Sequence, residues 1–176
     1  MNDQSVSIAD RVAELRASRA PSPIFTAEQE ALAKTSPVSL VSVGSPFPDG
    51  DLVDAQGRST TLGNVLGGAP GVVIFYRGAW CPYCNIALRT YREQLVAPLA
   101  ERGVALVAIS PQTADGSLTF KEKLSLDFAV LSDPGNQIAG ADGNLAWIDI
   151  HPDYTTRTEP SQILEQVSEL AIGHQR

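Results

Sequence analysis

The chain has 176 residues, 43% of them hydrophobic and 19% charged, which gives a prior of one globular domain with room for a proper core. A net charge of -7 without a dense Lys/Arg cluster argues against nucleic acid and anionic membranes as partners, and the apolar runs are too short to span a bilayer. Two cysteines make no disulfide framework, and an opening with Asp3, Asp10 and Arg11 but no apolar run does not resemble a signal peptide, so the expected compartment is the reducing cytoplasm.

Residues 1–36 are expected to form a helical arm on a second unit, 37–176. Ile8, Val12 and Leu15 recur at helical spacing behind Ser7, a plausible N-cap. Pro21-Ser22-Pro23 interrupts, and a second short helix is expected after Thr26. The arm should pack on the domain rather than serve a partner. Gly44, Pro46, Pro48 and Gly50 then mark a loop, and Leu52 to Leu62 a hairpin about Gly57. Gly67, Gly68, Pro70 and Gly71 lead onward without the Lys-Ser/Thr of a phosphate loop.

Val72-Val73-Ile74-Phe75-Tyr76 is a short run of β-branched and aromatic residues, the pattern of a fully buried central strand. It runs through Arg77-Gly78-Ala79-Trp80 into Cys81-Pro82-Tyr83-Cys84, which holds both cysteines of the chain. Pro82 suits the first turn of a helix. The helix continues through Ala87, Leu88, Tyr91, Leu95 and Leu99 to about Arg102, with a kink or break expected at Pro98. Both sulfurs should therefore lie near unpaired N–H groups at a helix start, where thiolate is favoured over thiol. That is a redox site. Zinc would need a second ligand pair, and His151 and His174 lie far off in sequence. His151 itself has the setting of a turn or surface residue.

Val104 to Ile109 is a further buried strand, so strand, helix and strand form a βαβ unit with parallel pairing. A helix is expected at 117–124, an extended piece at Phe128 to Leu131 and a turn at Asp133-Pro134-Gly135. Asp142-Gly143 should turn into a strand from Asn144 to Ile150. A last helix begins near Pro160 and carries Ile163, Val167 and Leu170 to Ile172.

The segment Phe75-Tyr76-Arg77-Gly78-Ala79-Trp80-Cys81-Pro82-Tyr83-Cys84 resembles the active-site segment of peroxiredoxin-like proteins, the alkyl hydroperoxide reductase/thiol-specific antioxidant branch of the thioredoxin superfamily. The hairpin, Val107 to Gln112, Phe128 to Pro134 and His151-Pro152-Asp153-Tyr154 agree in order, over roughly residues 40 to 172. The resemblance implies an α/β thioredoxin-like fold, a central mixed β-sheet flanked by helices. One central strand, normally found between Pro134 and Asp142, is missing or exchanged between chains.

The implied activity is reduction of hydrogen peroxide or organic hydroperoxides by a thiol; the alternatives are a protein disulfide oxidoreductase or a redox-inactive interaction domain. Cys81 and Cys84 would be the catalytic pair, supported by Arg77, Trp80, Pro82 and Tyr83. No metal or other cofactor is implied. The partners are a thioredoxin-type or small-thiol reductant and, across the free sheet edge, a second copy. Cys84 falls on the peroxidatic position of peroxiredoxins, where Cys81 replaces their Thr or Ser and Arg77 their Pro. In thioredoxin-like sites the first cysteine, here Cys81, attacks, so the attacking sulfur is open at this point. The missing segment also removes the usual active-site arginine, for which Arg77 or Arg157 could stand in.

Overall fold

A computed structural model describes residues 6–19, 26–27, 30–31, 34, 42–47, 50–113, 121–122, 124–134, 144–151 and 153–173. The Pro21-Ser22-Pro23 break, most of the 117–124 helix and the Asp142-Gly143 turn lie outside them. So does the stretch of 135–143 where a strand was expected to be missing.

The chain opens with α1 (Ile8–Ala17), capped by Ser7, whose Oγ accepts from the Asp10 N–H. Next come β1 (Leu52–Asp54) and β2 (Ser59–Thr60), paired antiparallel as the expected hairpin. A one-turn helix, α2 (Leu62–Leu66), follows where the sequence reading ended the hairpin at Leu62 and expected no helix. Thr61 caps its start, accepting from Asn64, and Gly67 closes it in a left-handed conformation. Then come β3 (Gly71–Phe75), α3 (Pro82–Ala100), β4 (Ala105–Ser110), β5 (Ala129–Ser132) and α4 (Pro160–Gly173). Pro98 does not end α3, because it falls in the last turn, where only one intrahelical bond is lost.

The five strands form one mixed sheet in the order β2-β1-β5-β4-β3. β3 pairs parallel with β4, from Gly71 opposite Ala105 to Phe75 opposite Ile109, as the βαβ pattern required. β4 is parallel to β5, and β5 antiparallel to β1. Side chains along β4 alternate between two apolar layers. Leu106 and Ala108 face the helices with Ile8, Val12, Leu88, Tyr91, Leu95 and Ile163, whereas Val107 and Ile109 pack with Leu52, Leu62 and Leu131 on the other face.

Two expectations are corrected here. β3 is an edge strand, not a central buried one: among the described residues only β4 pairs with it, and Phe75 is 56% exposed. An all-apolar run is compatible with either position, and what distinguishes them is the strand that should lie alongside. Residues 144–150 likewise form no strand. A single bridge joins Asn144 to Pro46, with the Gly44 N–H donating to the Leu145 carbonyl and the Leu145 N–H to that of Ser45. This stretch is held by the loop before the hairpin instead of by the sheet, while Trp147 packs onto the helix-side core. Among the described residues no helix is long and apolar enough to cross a membrane.

Candidate active site

The end of β3 and the start of α3 are joined by Tyr76 to Cys81, a short turn held at several points. The Cys81 N–H donates to the Gly78 carbonyl at 3.1 Å. The Ala79 N–H donates to Gln112 Oε1 at 2.7 Å, tying the turn to the chain just beyond β4. Asn85 Nδ2 donates to the Ala79 carbonyl at 3.2 Å from the first turn of α3. Gly78 sits at φ +146°, and a Cβ there would lie 2.6 Å from Trp80 Nε1. Glycine is required at that point by both backbone and space.

Cys81 is the N-cap residue of α3, Pro82 opens the helix and Cys84 lies in its first turn. Pro82 has no N–H, the first intrahelical bond runs from the Asn85 N–H to the Cys81 carbonyl, and the N–H groups of Tyr83 and Cys84 before it lie where the helix dipole favours negative charge. Both sulfurs are reduced and buried, Cys81 at 1% exposure and Cys84 at 0%.

The two thiols are not equivalent. Cys81 donates to Cys84, and this bond does most to hold the Cys84 thiol down at about 5, against burial. The Arg77 backbone N–H and the Arg157 guanidinium add to it, with Arg157 Nη2 donating to Cys84 Sγ at 3.3 Å. Cys81 is pushed up, first by giving its hydrogen to Cys84 and then by burial. The Cys81 hydrogen and the Arg157 guanidinium both favour the thiolate on Cys84, and Cys81 is pushed in the opposite direction.

The remaining expected residues surround this pair at different distances. Arg77 reaches Cys84 through its backbone only. Its guanidinium lies 4.7 Å from the ring centre of Trp80 and 4.4 Å from that of Tyr154, stacked between two aromatic faces. Trp80 is 65% exposed and forms the outer wall. Tyr83 meets Tyr154 edge-on at 5.9 Å and also packs on the core. His151 is exposed and bonded to Asp149 at 3.0 Å, on the surface as expected.

Arg157 is the cation that touches sulfur, and sequence reasoning reached it only as one of two candidates. Tyr154, Gln112 and Glu159 were not found as contributors. None sits in a spacing pattern with the cysteines; Arg157 lies 73 positions beyond Cys84. Among the described residues no cluster of three His, Cys, Asp or Glu could hold a metal ion.

Sheet, flanking helices and paired thiols at a helix start define a dithiol protein of thioredoxin-like fold. Residues 43–147 match the model of the AhpC/TSA family, and the chain belongs to that family. It is 32% identical over 114 residues to the chloroplastic peroxiredoxin Q of Sedum lineare, a match covering 65% of this chain and 60% of that one. The match thus spans less than two thirds of that relative's length.

Among solved structures the chain resembles a peroxiredoxin-like protein from Aquifex aeolicus, with a TM-score of 0.64 and 17% identity over 76% of this chain and 90% of that one. It also resembles the peroxidoxin BcpB of Mycobacterium tuberculosis, with a TM-score of 0.56 and 22% identity over 75% and 97%. At these identities the likeness is one of fold.

Proposed function

We propose that the protein is a thiol peroxidase in which Cys84 attacks the peroxide and Cys81 resolves the product. The observation that carries this reading is the Arg157 guanidinium 3.3 Å from Cys84 Sγ, a contact that favours the thiolate on that sulfur. The Cys84 thiolate attacks one peroxide oxygen and the O–O bond breaks. The leaving alkoxide or hydroxide takes up a proton, and Cys84 becomes a sulfenic acid. Cys81 then gives up its proton and attacks the Cys84 sulfur. The S–O bond breaks, water leaves and a Cys81–Cys84 disulfide forms. An external dithiol of thioredoxin type, or a small thiol, restores both cysteines through a mixed disulfide and is itself oxidised.

Arg157 and the N–H groups at the start of α3 stabilise negative charge on sulfur before attack and on the departing oxygen during it. Arg77, Trp80 and Tyr83 serve as the wall of the site, and Pro82 sets the helix start. The rival reading, a disulfide oxidoreductase led by Cys81, needs an accessible first sulfur that carries charge. The cation sits on Cys84 and the Cys81 thiol is pushed up by giving its hydrogen to Cys84, which favours Cys84 as the attacking sulfur and peroxide reduction. We further propose that the β3 edge, which has no partner strand among the described residues, pairs with a second copy of the chain.

The test is consumption of hydrogen peroxide and an alkyl hydroperoxide by wild type, Cys81→Ser and Cys84→Ser, with mass spectrometry of the sulfur. Cys84→Ser should fall to background. Cys81→Ser should react once and accumulate a sulfenic acid at Cys84 that a dimedone probe traps. Full turnover by Cys84→Ser would overturn the assignment.

A further inference from the structure

Neither α1 nor Arg157 lies within the family-matched residues 43–147, yet the two are joined. The loop 153–159 carries Arg157 to Cys84, and α1 grips it at both ends. At one end Glu159 offers its carboxylate to the start of α1, where the Ile8 N–H donates to Oε2 and the Ala9 N–H to Oε1, each at 2.9 Å. Two orphan helix donors and one anion satisfy each other there. At the other end Arg16, in the last turn of α1, donates to Thr155 Oγ1 and lies 3.8 Å from Asp153 Oδ2.

Thr155 is buried, and both its N–H and its hydroxyl donate to Asp153 Oδ1, so the loop is folded on itself where Arg16 meets it. From the opposite side Tyr91 of α3 donates to the Thr158 carbonyl at 2.7 Å. Arg157 donates to the carbonyls of Tyr154 and Thr156, which leaves its other nitrogen aimed at the sulfur.

α1 is in turn docked on α3. Ile8 and Val12 are buried in the core, Arg11 pairs with Glu93 at 2.6 Å, and Gln94 donates to the Val6 carbonyl. A loop of seven residues joining an irregular stretch to a helix would ordinarily be mobile. Here its two ends are pinned to one rigid element.

We propose that α1 is the positioning element for Arg157, with Glu159 and Arg16 as the two ties that hold the guanidinium on Cys84 Sγ. This rests on the reading of Cys84 as the reactive sulfur. Cys81 from the turn and Arg157 from the loop act on that sulfur directly; Tyr91 of α3 feels Cys84 and Arg157 together with Glu159 from the loop and Asp149 from the stretch before it, and the Arg77 guanidinium is turned to Trp80 and Tyr154. Loss of the Glu159 carboxylate, taken as a charge alone, would make Cys84 more acidic. Loss of positioning does the opposite, so the sign of the change separates the two.

The experiment is a pH titration of the reduced full-length protein, following thiolate absorbance and peptide-resolved alkylation of Cys84. Glu159→Ala and Arg16→Ala should each raise the Cys84 midpoint by about half a pH unit or more, with Glu159→Gln partly restoring it. In an Arg157→Ala background neither substitution should raise it further, because the group they position is gone. Arg11→Ala, which removes only a part-exposed ion pair and leaves the buried docking of α1 and both ties intact, should leave the midpoint where it is. Circular dichroism and melting of each variant identify any that fails to fold; should Glu159→Ala do so, Arg16→Ala carries the test through the Arg157→Ala background, where loss of its charge alone would still raise the midpoint.

Unchanged or lowered midpoints in Glu159→Ala and Arg16→Ala, with a raised one in Arg157→Ala, would overturn the proposal and leave α1 as packing alone. Raised midpoints in a protein that does not reduce peroxide would support the ties and sink the peroxidase reading instead.

Discussion

The opposed shifts of Cys81 and Cys84 predict how the stability of the reduced protein responds to pH. Cys84 is lowered to about 5 in the fold from an ordinary 9.0. Between those values the unfolded chain binds the extra proton, so stability rises with pH and is lost as pH falls through about 5. Cys81 works in the other sense. Above its ordinary 9.0 the unfolded chain releases a proton that the fold retains, and stability falls again. Reduced wild type should therefore be most stable near the ordinary thiol value, relative to the Cys81→Ser/Cys84→Ser double variant, when denaturant midpoints are followed across pH. The disulfide form should lack this profile, and a reduced protein with none would contradict the charge on Cys84.

Arg157 belongs to the same scale. Arg157→Ala should lower kcat/KM for peroxide about 10²-fold, the usual cost of one preorganised donor at a charged centre. Arg157→Lys should recover part of it, since an ammonium keeps the charge but not the fork that also binds two carbonyls. Steady-state kinetics on the two variants check this.

At the scale of elements, the turn between β3 and α3 depends on Gly78. Gly78→Ala places a Cβ against Trp80 at a φ that L residues rarely adopt. It should cost about 1–3 kcal/mol of stability and loosen the Ala79–Gln112 bond. Denaturant unfolding measures the first effect; faster alkylation of both cysteines reports the second.

The elements most legible in the sequence were those whose signals are local. α3 was legible from Pro82 and its apolar stripe, β4 from its unbroken run, and α4 from Ile163 and its neighbours. α2 was hidden because five residues give too short a period to detect, although Thr61 and Gly67 mark its ends. The 144–150 stretch has the composition of a strand, but pairing needs a neighbour, and the one available is a loop.

For the molecule as a whole, β3 presents Val72, Val73, Ile74 and an exposed Phe75 along an edge with no partner strand among the described residues. Long apolar edges of this kind associate unless blocked by charge or proline, and β3 contains neither. Sedimentation should show a concentration-dependent dimer that Val73→Lys weakens; a monomer at high concentration would remove the proposed pairing.

The two sulfurs could be found from sequence because they are three positions apart. Their cation could not be singled out, because the fold alone brings it there from 73 positions away. That distance has a bearing on synthesis. As the chain leaves the ribosome, Cys81 and Cys84 emerge well ahead of the loop that supplies the guanidinium, so the nascent thiols should react slowly with oxidants. They become sensitive only after the carboxy-terminal portion folds back. Ribosome-stalled chains ending before Arg157 should be oxidised by peroxide more slowly than chains that include it, which makes emergence of that loop the event that arms the centre.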